Sequence, residues 1–355
     1  MWSPGQKGLR PRDSARQGEV YGRLGEAYRK YRGADVSYKE YLDTLQFTEE
    51  EQAMVADNAI SYSAEPADIS LQSAMEDSVS WEAFVDENFL VVGGHQSIAE
   101  KMADEIEDRI SLSSTVKAID WRRGDVEIRY DREGHEETAH ARKAIITLPI
   151  GVLQTDRPAF SPVLPAWKRH AIDSLRMGRV VVIQLLFDEP FWRERGVTSW
   201  SSPHGRVNWV DPHAPDTGAP AILSWMSGQT AQELSDLGEE AGLRRVLSWI
   251  EDAFPDVRVR ERVEWSYFRD WVRDPYSLGS YSFTLPGGRG QRGVLATPVE
   301  STLHFAGEAM HAPPHYQTVH GAYVSGRRAA REVLSDLGLE VSARALEPAD
   351  VLVRT

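Results

Sequence analysis

No cysteine occurs among the 355 residues. That excludes disulfides, thiolate metal ligands, cysteine nucleophiles and any prosthetic group attached through sulfur. No apolar run reaches the length of a membrane span, and the opening stretch MWSPGQKGLRPRDSARQGEV has no apolar segment fit for a signal peptide. A cytoplasmic protein with no membrane partner is the expectation. Positive charge is also scarce: 40 Lys and Arg against 54 Asp and Glu leave a formal net charge of −14. Nucleic-acid binding calls for a basic surface, so that class is excluded, while a cationic small molecule is mildly attracted. No Gly-x-Ser-x-Gly elbow or Ser/His/Asp constellation supports hydrolysis. The histidines at 304, 311, 315 and 320 lack HxH or HExxH spacing, so no metal is expected, although His311 and His315 remain candidates to line a pocket or act as bases.

The length is a soft prior for two domains. Residues 1–18, rich in Gly, Pro, Arg and Ser, read as an arm, and residues 19–87 as helical, with D-I-S-L at Asp68–Leu71 resembling a helix cap. Residues 88–158 change character. FLVV leads through Gly93-Gly94 into a helix with Ile98, Met102 and Ile106 at four-residue spacing, and STVKAIDW, DVEIRYD and ARKAIITLP read as strands, the first two of these preceding a hairpin turn at Asp131–Gly134. Residues 159–285 open on RPAFSPVLP, then offer VVVIQLLF at Val180–Phe187 as a central strand, AILSWMSG as another, a long helix from QELSDLGEEAG, and an aromatic run WSYFRDWVRDPYSLGSYSF. Residues 286–339 end in a helix from about Val319 to Leu337, with small residues at Ser325 and Ala329 that let another backbone approach. Residues 340–355 read as a tail.

LHFAGEAM and VHGAYVSGRRAA look like the closing half of a dinucleotide site whose opening half, a strand, a Gly-x-Gly-x-x-Gly turn and a helix, is missing from the first hundred residues. Gly288, Gly290 and Gly293 imitate the glycine pattern, but the expectation is that no strand precedes and no helix follows them.

The order G-G-H-Q-S-I, T-L-P-I-G-V-L, L-P-x-W-K-x-x-A-I, F-x-x-P-F-W, D-P-x-x-x-G-S-Y-S, F-A-G-E and V-H-G-A-x-x-S-G-x-R-A-A resembles the flavin-dependent amine oxidase family, over about residues 35–337. The resemblance implies an α/β and α+β chain, the C-terminal portion of a two-domain FAD-dependent amine oxidase fold. Its parts would be a partial FAD-binding domain, a mixed-sheet substrate domain and a helical region. By the same resemblance Gly307 and Glu308 run along the pyrophosphate and ribityl chain, Thr318 and Val319 lie at the pyrimidine side of the flavin, and Val116 passes the adenine end. Trp271 and Tyr276 resemble packing aromatics near the flavin edge, and Tyr281 resembles the aromatic wall over the flavin that orients and desolvates a neutral amine. Phe191 and Trp192 are expected in the core.

Monoamine oxidases carry a second tyrosine where this chain has Thr318, and a flavin-bearing cysteine where it has Ser280. Both differences point to noncovalent FAD and to the polyamine oxidase, demethylase or L-amino acid oxidase branches. Val182 stands where most of the family has a lysine associated with the reaction with oxygen, so the expectation is an amine oxidoreductase whose electron acceptor is open. An amino acid substrate calls for an arginine such as Arg179, a polyamine for acidic side chains. Met1 opens what reads as a complete chain, so the missing half is expected from a second polypeptide, with FAD across the interface. A structural or regulatory subunit that has lost flavin is the alternative.

Overall fold

The computed structural model describes residues 8, 14–56, 62–81, 91, 94–155, 157–201, 207–211, 218–311 and 316–339. The expected tail, most of the expected arm, Phe89, Leu90 and Val92 of the run FLVV, Gly93 and His315 lie outside them. The described helices are α1 (Ser14–Lys30), α2 (Tyr38–Thr44), α3 (Glu49–Ala56), α4 (Leu71–Trp81), α5 (Gln96–Ala103), α6 (Ile150–Leu153), α7 (Ala166–Asp173), α8 (Gly228–Ala253), α9 (Gln291–Ala296) and α10 (Val319–Asp336). The strands are β1 (Ser114–Arg122), β2 (Asp125–Arg132), β3 (His135–Ala141), β4 (Ala144–Ile146), β5 (Ala159–Ser161), β6 (Leu175–Met177), β7 (Val180–Phe187), β8 (Ser199–Ser201), β9 (Val207–Val210), β10 (Ala221–Ser227), β11 (Val263–Asp270), β12 (Ser282–Thr284) and β13 (Leu303–Phe305). They form two compact units between which the chain passes repeatedly. Unit 1 takes Met1–Met75, Leu148–Gln154 and His170–Arg292, and unit 2 takes Glu76–Thr147, Thr155–Arg169 and Gly293–Thr355.

In unit 1, a mixed apolar core holds the N-terminal helices together: Val20, Leu24, Tyr38, Leu42, Val55, Ile69 and Leu71 are buried there. Helix α2 starts in a capping box, with the Ser37 hydroxyl accepting from the Glu40 N–H and the Glu40 carboxylate accepting from the Ser37 N–H. At Asp68–Leu71 the cap is Ser70, whose hydroxyl accepts from the Ser73 N–H at 3.0 Å. The second core lies under a five-stranded sheet of order β11-β7-β10-β9-β8. Strand period places Val181, Ile183, Leu185 and Phe187 of β7 on the buried face against α8, with Phe191 and Trp192 joining that core as expected. β7 is central, flanked by antiparallel β10 and β11.

In unit 2, β3-β2-β1-β5 form one sheet, and β4 and β13 form a parallel pair. The Gly134 N–H donates to the Asp131 carboxylate in the hairpin joining β2 and β3.

Three expectations are corrected. ARKAIITLP is not one strand: Ala141 closes β3, and Ala144–Ile146 forms β4 in a different sheet. The apolar stripe Ile98, Met102 and Ile106 does not form one buried helical face, because α5 ends at Ala103 and all three side chains are exposed. The glycine pattern at 288–293 does have a strand before it, β12, and a helix after it, α9. β12 pairs antiparallel with β6, however, and the Gly287 N–H donates to the Asp35 carboxylate. A phosphate loop needs a parallel βαβ unit and a turn open to an anion, and this turn faces a carboxylate.

Candidate functional site

The residues singled out above divide between the two units. In unit 1, Tyr281 sits in a corner tied by backbone contacts. The Gly178 N–H donates to the Tyr281 carbonyl at 2.7 Å, the Ser280 N–H to the Gly178 carbonyl at 2.8 Å and the Arg179 N–H to the Ser63 carbonyl at 2.8 Å. Such approach needs glycine: a Cβ on Gly178 would stand 2.7 Å from the Ser63 Cβ and 2.8 Å from the Tyr62 carbonyl oxygen. The hydroxyls of Ser63 and Tyr281 share a 2.7 Å hydrogen bond, which sets the phenol's orientation. Trp225 packs against the Tyr281 ring with centroids 6.0 Å apart. Ser280 keeps its hydroxyl on the Gly178 carbonyl at 3.1 Å.

Val182 is half-buried on the sheet face away from the main core. Its cross-strand partners are Trp225 on β10 and Arg269 on β11, and directly opposed residues share a face. The chain therefore places a cation next to the position where a lysine was expected and missing. That cation is engaged, however: the Arg269 guanidinium is paired with Asp274 and lies 4.3 Å over the Trp271 ring. Trp271 thus belongs to this corner, whereas Tyr276 is 67% exposed.

A cavity of about 360 Å³ adjoins the corner, lined by Ser63, Asp68, Arg176, Met177, Arg179 and Phe283. It falls in the range of small-molecule sites.

In unit 2, β13 ends in Ala306-Gly307. Gly307 has φ 137°, a conformation L side chains rarely adopt, and no atom lies nearer than 3.4 Å to the place of a Cβ. The turn demands glycine, and glycine leaves that side of the backbone bare. Ser325 of α10 clamps it: its buried hydroxyl accepts from the Gly307 N–H at 2.9 Å and shares its proton between the Gly307 and Ala322 carbonyls, at 2.9 and 2.8 Å. The Glu308 carboxylate accepts from the Gln317 N–H at 3.1 Å, and Thr318 caps α10 by accepting from the Gly321 N–H at 3.1 Å. Val319 follows, 63% exposed in the first helical turn. Gly307, Glu308, Thr318 and Val319 are thus linked through the α10 entry. A bare backbone strand end beside the N-terminus of an 18-residue helix fits the phosphate and ring of a flavin dinucleotide. Val116 lies on β1, half-buried beside a bulge between Val116 and Ala118.

Behind this turn, Lys168 of α7 is fully buried. Its ammonium donates to the carbonyls of Leu295, at 2.6 Å, and Thr297, and stands 3.9 Å from the Phe305 ring centroid. Burial, aided by the neighbouring Arg328 charge, pushes its pKa down to about 7. Arg328 donates to the Phe305 carbonyl at 2.6 Å and the Ala296 carbonyl at 3.0 Å. Arg328 thus fastens β13 and the end of α9 to α10, and Lys168 fastens the end of α9 to α7. His304 is buried with its ring nitrogens 3.3 Å from a Glu332 oxygen and 3.4 Å from an Asp336 oxygen, which sets β13 against α10. Burial lowers the pKa of His311 and of His320, with His320 and Arg328 adding to the effect on His311. Among the described residues no group of three or more His, Asp or Glu is arranged to hold a metal ion, and no helix is long and apolar enough to cross a membrane.

Sequence reasoning missed Ser63, Asp68, Trp225 and the engagement of Arg269, because only tertiary packing brings them beside Tyr281 and Val182. Lys168 and Ser325 stood within quoted motifs, but nothing in those motifs revealed which carbonyls they hold.

A strand end built for close backbone approach beside the capped entry of the final helix, and in the other unit a sheet with an aromatic face, fit the family whose motif order the sequence follows. Comparison with known proteins agrees. The family description "flavin containing amine oxidoreductase" matches residues 23–334. Polyamine oxidase 4 of Oryza sativa subsp. japonica is 35% identical over 246 residues, covering 68% of this chain and 48% of that protein. Histone demethylase-like protein A of Aspergillus fumigatus is 31% identical over 287 residues, covering 72% of this chain and 25% of its own length. A putrescine oxidase structure superimposes with a TM-score of 0.77 at 21% identity, covering 92% of this chain and 77% of that one. This chain belongs to the flavin-containing amine oxidoreductase family. It spans about a quarter to a half of the length of those curated relatives.

Proposed function

We propose that this chain works as part of an FAD-dependent amine oxidoreductase, with FAD held noncovalently and completed by a second polypeptide that carries the Gly-x-Gly-x-x-Gly half. The observation that carries the reading is the Ser325 clamp on Gly307, which fixes a bare backbone strand end at the entry of α10 in a chain of this family. When bound, the flavin supplies a two-electron acceptor at N5 for hydride from the α carbon of a neutral amine or amino acid, leaving an imine that water converts to a carbonyl compound. The chain's residues position and exclude water. Gly307, Glu308, Thr318 and Val319 present backbone and helix terminus to the cofactor, and Tyr281, held by Ser63 and backed by Trp225, forms an aromatic wall for the amine. No protein base is needed when the amine arrives neutral. Val182 brings no ammonium, and Arg269 is neutralised by Asp274, so the site favours an electron acceptor other than oxygen.

Support for the second polypeptide comes from unit 2. Among the described residues β4 and β13 pair only with each other. Ile145 on β4, Ile98 and Met102 on α5, and Val319, Tyr323 and Val324 on α10 are all exposed. An apolar parallel pair of this kind needs covering. Intact masses and the visible absorption spectrum of protein purified from its native source test the reading. Bound flavin with a second, smaller chain is the expected result; flavin held by this chain alone, or within one continuous longer chain, overturns the two-chain arrangement. A colourless complex that fails to oxidise any amine leaves a structural subunit instead.

A further inference from the structure

We propose that Ser63 is a positioning residue for the amine: its hydroxyl aims the Tyr281 phenol, and the short segment Ser63–Glu65 makes Tyr281 and Trp225 one preorganised aromatic pair. The inference rests on the amine oxidoreductase reading and assigns the residues that set the geometry of its aromatic wall. Ser63 is fully buried, and its φ of 54° lies in the left-handed region that a residue with a Cβ occupies at a cost and glycine occupies freely. A turn alone would be better served by glycine. What the strained serine adds is its side chain, and that side chain ends on the Tyr281 hydroxyl at 2.7 Å. Strain of this kind persists only where the surroundings over-determine it. Here they do: the Ser63 carbonyl accepts from the Arg179 N–H at 2.8 Å, and Gly178 leaves the Ser63 Cβ its room, since a Cβ on Gly178 would stand 2.7 Å away. The phenol oxygen lies on the rotation axis of its ring, so the hydrogen bond pins the swing of the side chain. The Trp225 ring, 6.0 Å away and tilted by 36°, restrains the ring's face.

Two residues further on, Glu65 holds the other member of the pair. Trp225 lies near the end of β10, which passes at Ser227 directly into α8. Ser227 makes no side-chain cap on that helix. The Glu65 carboxylate serves instead, accepting from the Gln229 N–H at 2.8 Å, where the positive end of the helix favours it. Gly228 permits the approach: a Cβ there would stand 2.8 Å from the same carboxylate oxygen. The Gly228 N–H in turn donates to the Arg179 carbonyl at 3.1 Å. Arg179 is therefore bonded through its N–H to Ser63 and through its carbonyl to Gly228, which links the hold on Tyr281 to the hold on Trp225.

The test compares Ser63→Ala and Ser63→Gly with wild type, using the full chain in the complex in which it purifies, labelled with 3-fluorotyrosine for fluorine NMR. Tyr281→Phe removes one resonance and so identifies it. That resonance should move or broaden in both Ser63 variants, while resonances from outside this corner hold. Turnover is followed with whichever of putrescine, benzylamine and L-leucine the wild type oxidises fastest. The contact area of the wall survives the loss of one hydroxyl but its aim does not, so kcat per bound flavin should fall about tenfold with KM changed by less than about twofold. Ser63→Ala combined with Tyr281→Phe should be no slower than Tyr281→Phe alone, because both remove the same bond. Ser63→Gly relieves the left-handed strain, so its thermal midpoint should stay close to wild type while the kinetic and spectroscopic changes remain; it decides the matter if Ser63→Ala does not fold. The proposal is overturned if the Tyr281 resonance is unmoved in Ser63→Gly, or if kcat per flavin is unchanged and only the thermal midpoint falls. A moved resonance in a colourless preparation that oxidises none of the three substrates overturns the amine oxidoreductase reading and the catalytic part of the proposal with it, leaving only the hold of Ser63 on the phenol.

Discussion

Raising the pH from about 7 to about 9 should stabilise unit 2 through a single side chain, Lys168, by about 2 kcal/mol. The folded protein holds this lysine fully buried over the Phe305 ring, with a pKa lowered from 10.5 to about 7 by burial and by Arg328, against an opposing pull from Glu332. In the unfolded chain the side chain is solvated and takes up a proton at every pH below its ordinary pKa. Between the two values the unfolded state therefore binds more protons than the folded one, and stability must rise with pH across that window. Two pH steps at roughly 1.4 kcal/mol each, reduced because half the folded lysine is still protonated at the lower end, leave about 2 kcal/mol. The neutral amine keeps two N–H donors, enough for the Leu295 and Thr297 carbonyls, so deprotonation breaks neither hydrogen bond. Urea unfolding of wild type and Lys168→Met at both pH values provides the assay. The variant loses both hydrogen bonds at each pH, a cost that cancels in the difference, and every other titrating group is common to the two proteins. If wild type and Lys168→Met gain or lose the same stability between the two pH values, the lysine is charged throughout and the reasoning is wrong.

Gly178→Ala should cost about 1–3 kcal/mol, because the new methyl would stand 2.7 Å from the Ser63 Cβ and 2.8 Å from a backbone oxygen that cannot withdraw; a lowered thermal midpoint checks it. Ser325→Ala leaves the Gly307 N–H and carbonyl without their clamp, so unfolding should become easier by about 1–3 kcal/mol and flavin absorbance should fall in the purified complex. Val182→Lys would set an ammonium opposite Trp225 and the neutralised Arg269. Stopped-flow mixing of the reduced complex with oxygen should then show faster reoxidation, on the order of tenfold or more, as expected of a preorganised charge at a reacting centre.

Local pattern alone determined much of this protein. The apolar run VVVIQLLF specified a central strand, while packing in the core under the sheet decided that Val181, Ile183, Leu185 and Phe187 take the buried face. The small residues of the last helix marked a close backbone approach, and the order of short motifs announced the family that residues 23–334 then matched. Local pattern failed where the outcome depended on what lies across space. Ile98, Met102 and Ile106 have helical spacing, yet their exposure was decided by the neighbours available to cover them. The glycines at 288–293 imitate a phosphate turn, and only the antiparallel pairing of β12 with β6 and the Asp35 carboxylate show otherwise. Arg179 lies far in sequence from Ser63 and Asp68 and shares no signature with them. Tertiary structure brings them together because the close approach at Gly178, where no side chain intervenes, lets the Ser63 segment lie directly against the start of β7.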